Sequence, residues 1–300
     1  MDKQVNVLIS LYNGERHICE QIESILSQSY SNIKIYIRDD GSKDKTLKRI
    51  KQNYAMNDFF LYEEQNVGFG RSFYKLLSYA QEGAYWTFCD QDDIWGRDKV
   101  KWAVEWMERQ NENIPLLFHS SYEMVDERGK KSLGVMGPPK YKVDFRRLLT
   151  DCVYQGFSIM INRKLREKMM ECTEENMVSH DRMAGILASK FGKDYFDPRI
   201  AVKHRRLDSS LSSMKMRNRL HWLFQTLSNP GKSDIVQTAR EFDRVFGNQI
   251  NDRECEMARW FAHENYNLKD AVKKAFYPGR WRPSLASEII LRILMITGKV

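Results

Sequence analysis

The sequence predicts an α/β protein built on a doubly wound, mostly parallel sheet. Three observations predict it: strand-like and helix-like segments alternate through the first hundred residues, their spacing suits right-handed crossovers between parallel strands, and acidic clusters stand where strands should end. Sheets of this kind bind ligands at the carboxyl ends of their strands. "VNVLISL" (5–11) is an apolar β run, and Ile18, Ile22, Ile25 and Leu26 then fall on one helical face. "IKIYIRD" (33–39) is a second strand, closed by the turn "DGSKD" and followed by the helical "KTLKRIKQNY". The strand-like "FFLYEE" (59–64), a helix from Arg71 to Ala80 and a strand over 84–89 continue the alternation. Val100, Ala103, Val104 and Met107 mark the next amphipathic helix.

Residues 115–162 read as mixed strand and loop, with "PLLFHSSYEMV", the turn "DERGK" and the strand-like "GFSIMIN". A helix follows over 178–191, with Ser179 as its candidate N-cap. From about residue 215 tryptophans and cations ride on helical periodicity, which predicts a helical appendage over 215–300 behind a catalytic domain over 1–214.

At 300 residues and 42% hydrophobic the chain can bury a sizeable core. Its net charge of +8 is concentrated: residues 201–300 hold 18 Lys and Arg against 10 Asp and Glu, while residues 1–200 hold 30 of each. An anionic partner for the last third, or a merely solvated basic face, are the two readings of that asymmetry. Five scattered cysteines without a CxxC spacing indicate neither a disulfide framework nor a structural zinc, and suit a reducing, cytoplasmic compartment. The start "MDKQ" lacks the features of a signal peptide, and no run of about 18 apolar residues occurs.

The stretch "CDQDDIW" (89–95) gathers Asp90, Asp92 and Asp93 at a strand end, where like charges repel unless solvent screens them or a cation neutralises them. In an extended segment Asp90 and Asp92 would project to the same side. That pair suits Mn²⁺ or Mg²⁺ beside substrate phosphates, although acidic surface loops carry the same pattern. Dedicated phosphate cradles are missing: there is no GxxxxGK[ST], and "GFG" (68–70) lacks the third glycine of a dinucleotide fingerprint, which disfavours a P-loop NTPase or a dehydrogenase.

Together with its neighbours that cluster resembles a known family. "VLISLYNGERHICEQIESILSQSY", "IYIRDDGSKDKT", "NVGFGRSF", "FCDQDDIWGRDK", "GFSIMIN" and "SHDRM" resemble, in order and spacing, the GT-A family-2 inverting glycosyltransferases, specifically the bacterial polysaccharide rhamnosyltransferase-like group. The resemblance covers roughly residues 5–206. It implies a nucleotide-sugar-binding half over about 1–110 and an acceptor half over about 111–214. By the same resemblance, Tyr12 and Asp40 hold the donor's base, Arg71 faces its diphosphate, Asp90 its ribose, and Asp92 binds the cation. Trp95 and His180 are then expected at the acceptor, and Asp181 as the base that deprotonates the acceptor hydroxyl. Related sequences often place a histidine where Leu207 stands, so His204, Arg205 or Arg206 is expected to reach the diphosphate instead, and the need for a metal is weakened.

The implied partners are a dTDP- or UDP-sugar donor, such as dTDP-L-rhamnose, and a lipid-linked saccharide acceptor. The C-terminal segment "FYPGRWRPSLASEIILRILMITGK" adds an apolar helical face (Leu285, Ile289, Ile290, Ile293, Leu294, Ile296) with Arg280, Trp281, Arg282 and Arg292 beside it. It reads as a docking surface for an anionic membrane, as packing on the catalytic domain, or as a homodimer interface. A catalytically silent nucleotide-sugar-binding scaffold is the competing function; retention of both Asp92 and Asp181 argues against it. A nucleic-acid-binding protein is the third, and no nucleic-acid motif supports it.

Overall fold

The computed structural model describes residues 2–55, 59–206, 233–248, 252–263 and 265–300. Leu207 and the basic, tryptophan-bearing "RNRLHWLF" (217–224) lie outside them. The first half follows the expected alternation: β1 (Val5–Leu11), α1 (Ile18–Leu26), β2 (Ile33–Asp39), α2 (Thr46–Asn53), β3 (Phe59–Glu63), α3 (Phe69–Tyr79) and β4 (Tyr85–Cys89). A two-residue β5 (Ile94–Trp95) precedes α4 (Lys99–Met107). Then come β6 (Leu116–Val125), β7 (Ser132–Met136), α5 (Phe145–Thr150), β8 (Ile159–Asn162), α6 (Arg163–Met170), α7 (His180–Phe191) and β9 (Lys193–Arg205). Four further helices close the described chain: α8 (Asp234–Phe246), α9 (Arg253–Ala262), α10 (Leu268–Ala275) and α11 (Leu285–Ile296).

Among the described residues the sheet runs β3-β2-β1-β4-β8-β6-β9-β5, with β7 paired to β6. The first four strands are parallel, β8 runs antiparallel to both neighbours, and β9 runs parallel to β6. Val5, Val7, Leu8, Ile9 and Leu11 of β1 are all buried, because helices cover both faces of a parallel sheet. β1 has β2 on one side and β4 on the other, which puts the switch point of the winding at its carboxyl end. The ends of β1, β2 and β4, where Tyr12, Asp40 and Asp90 follow, therefore border one crevice.

Several details differ from the sequence expectations. Leu26 stands half exposed at the end of α1 and leaves the apolar face to the three isoleucines. β9 is a 13-residue strand that the sequence analysis did not assign. Its register against β6 shifts at Ser120 and Ser121, beside Pro198, an irregularity of the kind that tolerates a proline without a ladder donor. The first half of "GFSIMIN" is a helical turn over Gly156–Ser158, so β8 begins only at Ile159.

The C-terminal helices share a core with the catalytic part. Phe242, Phe246, Phe261, Trp281, Leu291 and Met295 belong to the same buried cluster as Phe73, Leu148 and Leu187. Glu241 of α8, fully buried, accepts from the Thr173 amide at 2.6 Å and from Asn176 Nδ2 at 2.8 Å, and so fastens the loop that leads into α7. Trp281, expected at a membrane interface, is buried instead, donating its indole N–H to the Lys274 carbonyl. Arg282 is paired with Asp151, and Arg292 with Glu288 and three carbonyls, so both serve the packing of this region.

Candidate active site

The loops over the crevice are tied to one another before any ligand is considered. Gln91 clasps Tyr12 with both ends of its amide, accepting from the Tyr12 N–H at 2.9 Å and donating to its carbonyl at 3.0 Å. Asn13, the one non-glycine residue with positive φ among those described, accepts from the Lys43 amide and donates its own N–H to Ser42 Oγ. The loops after β1, β2 and β4 are thus one hydrogen-bonded rim, from which the Tyr12 side chain stands half exposed. Asp40 lies on its floor, buried, with Arg38 and the amides of Val67 and Gly68 on its oxygens. A nucleobase would have to share that carboxylate with Arg38.

The acidic stretch is not extended. A turn at Gln91 and Asp92 swings Asp93 round toward Asp90. As a result Asp90, Asp93 and His204, rather than Asp92, offer ligand atoms that all lie within 4.8 Å of one another. His204 Nδ1 is 2.8 Å from Asp93 Oδ1, and its ring stacks on Phe157 at 4.3 Å. Burial first, and then the neighbouring carboxylates, pushes Asp90 and Asp93 well above the usual carboxylate range. Burial lowers His204 against the pull of Asp90 and Asp92, which favours the neutral, ligating imidazole. Asp93 Oδ2 is buried without a hydrogen-bond partner. Two hard oxygens and an imidazole in a crowded, orphaned set fit a divalent cation. Asp92 lies beside this group; its carbonyl accepts from Arg205.

Three expected contacts are corrected by burial. Arg205 is 1% exposed and spends its guanidinium on Glu20, the Asp92 carbonyl and the Glu127 carbonyl, so it staples the acidic loop instead of reaching a diphosphate. Trp95 is held inside by pairing of β5 with β9, with Lys99 Nζ 3.9 Å from its ring centre, and forms no wall of a sugar pocket. His180 is fully buried among Phe69, Phe73 and Phe88 and cannot touch an acceptor. A Cβ on Gly156 would lie 2.6 Å from its ring, which shows how closely the cage is packed.

Asp181 heads α7. Its Oδ1 accepts from Ser179 Oγ at 2.6 Å and from the Arg182 amide at 2.8 Å. Ser179 occupies the expected N-cap position, but its hydroxyl serves this carboxylate and caps no helix amide. Burial raises the Asp181 carboxyl, yet His180, Ser179, the Cys152 thiol and the Arg182 amide together pull it below the ordinary value. Because burial lowers His180 itself to about 4, it is neutral near pH 7, and the hydrogen bonds from Ser179 and the Arg182 amide are what hold Asp181 ionised, the Cys152 thiol being bonded to the Tyr154 carbonyl at 3.2 Å. Asp181 is near enough to the acidic cluster for its charge to raise Asp90 further. The sequence analysis placed Asp93 in the acidic cluster but gave the cation to Asp92, and it missed Gln91 and the service of Ser179 to Asp181.

Arg71 is exposed at the start of α3 and donates to the Glu175 carbonyl at 3.0 Å. One residue earlier, a Cβ on Gly70 would fall 2.3 Å from the Met177 carbonyl. Only glycine allows the segment before Asp181 to pass that close to α3.

The profile described as "Glycosyl transferase family 2" matches residues 6–170. The chain belongs to that family. This family-2 glycosyltransferase is 26% identical over 164 residues to the Escherichia coli UDP-Glc:alpha-D-GlcNAc-diphosphoundecaprenol beta-1,3-glucosyltransferase WfgD, which covers 55% of the chain and 62% of the relative. It is 35% identical over 131 residues to the dTDP-rhamnosyl transferase RfbG of Shigella flexneri, covering 42% of the chain and 44% of the relative. The chain spans about two thirds or less of the length of several curated relatives it matches. Its fold matches Staphylococcus aureus TarS 1-349 in complex with UDP-GlcNAc with a TM-score of 0.55 at 15% identity, over 86% of this chain and 78% of that one. The mannosyltransferase PcManGT of Pyrobaculum calidifontis, in complex with GDP-Man and Mn²⁺, matches with a TM-score of 0.52 at 16% identity, over 99% and 86% of the two chains. The glycosyltransferase therefore has the GT-A fold.

Proposed function

We propose that this glycosyltransferase inverts the anomeric configuration of a sugar, L-rhamnose from a dTDP donor, as it transfers it to a lipid-linked precursor of a surface polysaccharide. The observation that carries the chemistry is the asymmetry of Asp181: one oxygen is saturated by Ser179 and Arg182, which leaves the other to take the acceptor's proton. Tyr12, Asp40 and Asp90 would hold the nucleoside, and Arg71 would meet the diphosphate with its guanidinium fork. A Mn²⁺ or Mg²⁺ ion on Asp90, Asp93 and His204 would neutralise the departing nucleoside diphosphate. The donor assignment is supported by "DQDDIW" and by the name of the Shigella relative. The acceptor class is supported by the E. coli relative, whose name specifies a saccharide on diphosphoundecaprenol. Donor hydrolysis measured across dTDP-, UDP- and GDP-sugars tests it: dTDP-L-rhamnose is expected to be consumed fastest, and a preference for a GDP-sugar would overturn the assignment.

Work on a lipid-linked acceptor calls for an enzyme held at an anionic membrane surface. Among the described residues no helix is long and apolar enough to cross a membrane. However, α10 leaves Leu268, Val272 and Phe276 exposed along one stripe, and α11 leaves Leu285, Ile289, Ile293 and Ile296 along another. Lys269 and Arg280 are also exposed there, Lys273 is paired with Glu256 and Asp270, and the acids of residues 265–300, Asp270 and Glu288, are buried and paired. Self-association through this face would set cation against cation, and an anionic lipid surface would not. Ile289→Ser with Ile293→Ser is expected to abolish co-sedimentation with phosphatidylglycerol vesicles. Equal recovery of the unmodified enzyme with neutral vesicles, or a wild-type dimer that the substitutions dissociate, would count against the membrane role.

A further inference from the structure

Four consecutive backbone amides follow the end of β1, and each is taken by a side-chain oxygen from another segment. The Tyr12 N–H donates to Gln91 Oε1 at 2.9 Å, that of Asn13 to Ser42 Oγ at 2.9 Å, that of Gly14 to Thr46 Oγ1 at 2.8 Å and that of Glu15 to Asp44 Oδ2 at 3.1 Å. Ser42, Asp44 and Thr46 belong to the chain after β2, whereas Gln91 comes from the acidic stretch after β4. Gln91 also differs in taking both main-chain groups of its partner, since its Nε2 donates to the Tyr12 carbonyl at 3.0 Å. A primary amide presents an acceptor and a donor side by side, so it can pair with a peptide N–H and C=O as a neighbouring strand would.

The ring carried by that main chain has little packing to aim it. Tyr12 is 46% exposed, so the direction of its side chain follows from its backbone. Beside it the Asp40 amide donates to the Leu11 carbonyl at 2.7 Å, which ties the floor of the crevice to the residue before Tyr12. Gln91 itself stands between Asp90 and Asp92 in the chain. Its seat is tight: a Cβ on Gly14 would come 2.5 Å from Gln91 Oε1 and 2.8 Å from Gln91 Cδ. Gly14 is not among the glycines with positive φ, so alanine there meets no backbone strain. A methyl group at Gly14 would push aside the end of a flexible side chain and leave the loop in place.

We propose that Gln91 is a positioning residue for the donor's nucleobase, fixing the Tyr12 main chain to the acidic loop so that one side chain sets the wall of the base site against the ribose and cation carboxylates. The inference rests on the reading that Tyr12 and Asp40 hold the base. A wall aimed in advance lowers the ordering cost of stacking a base on it, and a tyrosine freed from the clasp would have to be ordered by the ligand. The phosphates are met elsewhere, by Arg71 and the Asp90, Asp93 and His204 group, so the effect of Gln91 belongs to the base and not to the diphosphate.

Calorimetric titration of dTDP and of inorganic pyrophosphate, each in Mn²⁺, separates the two. Gln91→Met keeps the length of the side chain without its hydrogen bonds, and Gly14→Ala dislodges it from the other partner's side. Both are expected to weaken dTDP about 10-fold, the worth of one or two neutral hydrogen bonds, and to leave pyrophosphate within about twofold. Neither should weaken dTDP further once Tyr12→Ala is present, because the effect passes through that ring. Water can replace the amide on an exposed loop, so Tm should hardly move. A purely structural glutamine would lower Tm and weaken both ligands in parallel, and that result would overturn the proposal. Loss of dTDP affinity in Tyr12→Ala but in neither Gln91→Met nor Gly14→Ala would overturn it and keep the base reading. Unchanged dTDP affinity in Tyr12→Ala would overturn both. The expected pattern in an enzyme that consumes no nucleotide sugar would uphold the role of Gln91 and overturn the proposed transfer.

Discussion

Asp181→Asn is expected to lower turnover by about 10²- to 10⁴-fold, the usual range for a lost general base, while donor affinity stays within about twofold. The amide can keep the geometry: its oxygen still accepts from Ser179 Oγ and the Arg182 N–H. What it loses is the second oxygen's capacity to take a proton. The wild-type carboxyl is held below its ordinary value by its hydrogen-bond donors, so Asp181 stays ionised through the range in which an ordinary aspartate is charged and sets no acid limb there. Single-turnover rates with a saturating acceptor decide the matter. Turnover like that of the wild type would remove Asp181 from the mechanism.

Asp93→Asn should have the second large effect, a loss of about 10- to 100-fold in the affinity for Mn²⁺ in the presence of a nucleoside diphosphate. His204→Ala should follow it, because the two side chains lie together in the candidate ligand set. Asp92→Ala should do less. The pH dependence has a definite sign. Burial and mutual repulsion raise Asp90 and Asp93, so a cation must displace protons from them, and affinity should grow as pH rises through that raised range. Titrations in two buffers of different ionisation enthalpy would register the released protons. Cation binding that survives Asp93→Asn and vanishes in Asp92→Ala would return the ligand role to the middle carboxylate.

The first half of the fold was legible because its strands are apolar runs buried on both faces and its helices carry one apolar stripe each. β9 was not, since its first half is polar and exposed and Pro198 interrupts it. Around the crevice, residue type and order pointed to loops that the structure ties together after β1, β2 and β4, whereas orientation depended on local backbone. Alternation through an extended chain would pair Asp90 with Asp92, but the turn at Gln91 adds the rotation that brings Asp93 forward. Trp95, His180 and Arg205 carry functional-looking side chains that the packing turned inward. Nothing in the one-dimensional pattern distinguishes a tryptophan that lines a pocket from one that fills a core. Ser179 had a visible signal, its place before a helix, yet that signal fits a cap as well as a partner for Asp181.

The contact between Gly70 and the Met177 carbonyl constrains how such an enzyme can be recombined. The donor-side helix α3 and the segment carrying Asp181 are interlocked by backbone there, and Arg71 adds a bond to Glu175 a few residues upstream. Glu241, from the far C-terminal part, holds the same segment at Thr173 and Asn176. A chimaera spliced near residue 110, at the expected boundary between donor and acceptor halves, would therefore mismatch a joint formed by both sides. Exchanges of donor specificity should transplant residues 68–71 and 173–181 as one block, with the partner of Glu241 kept in step.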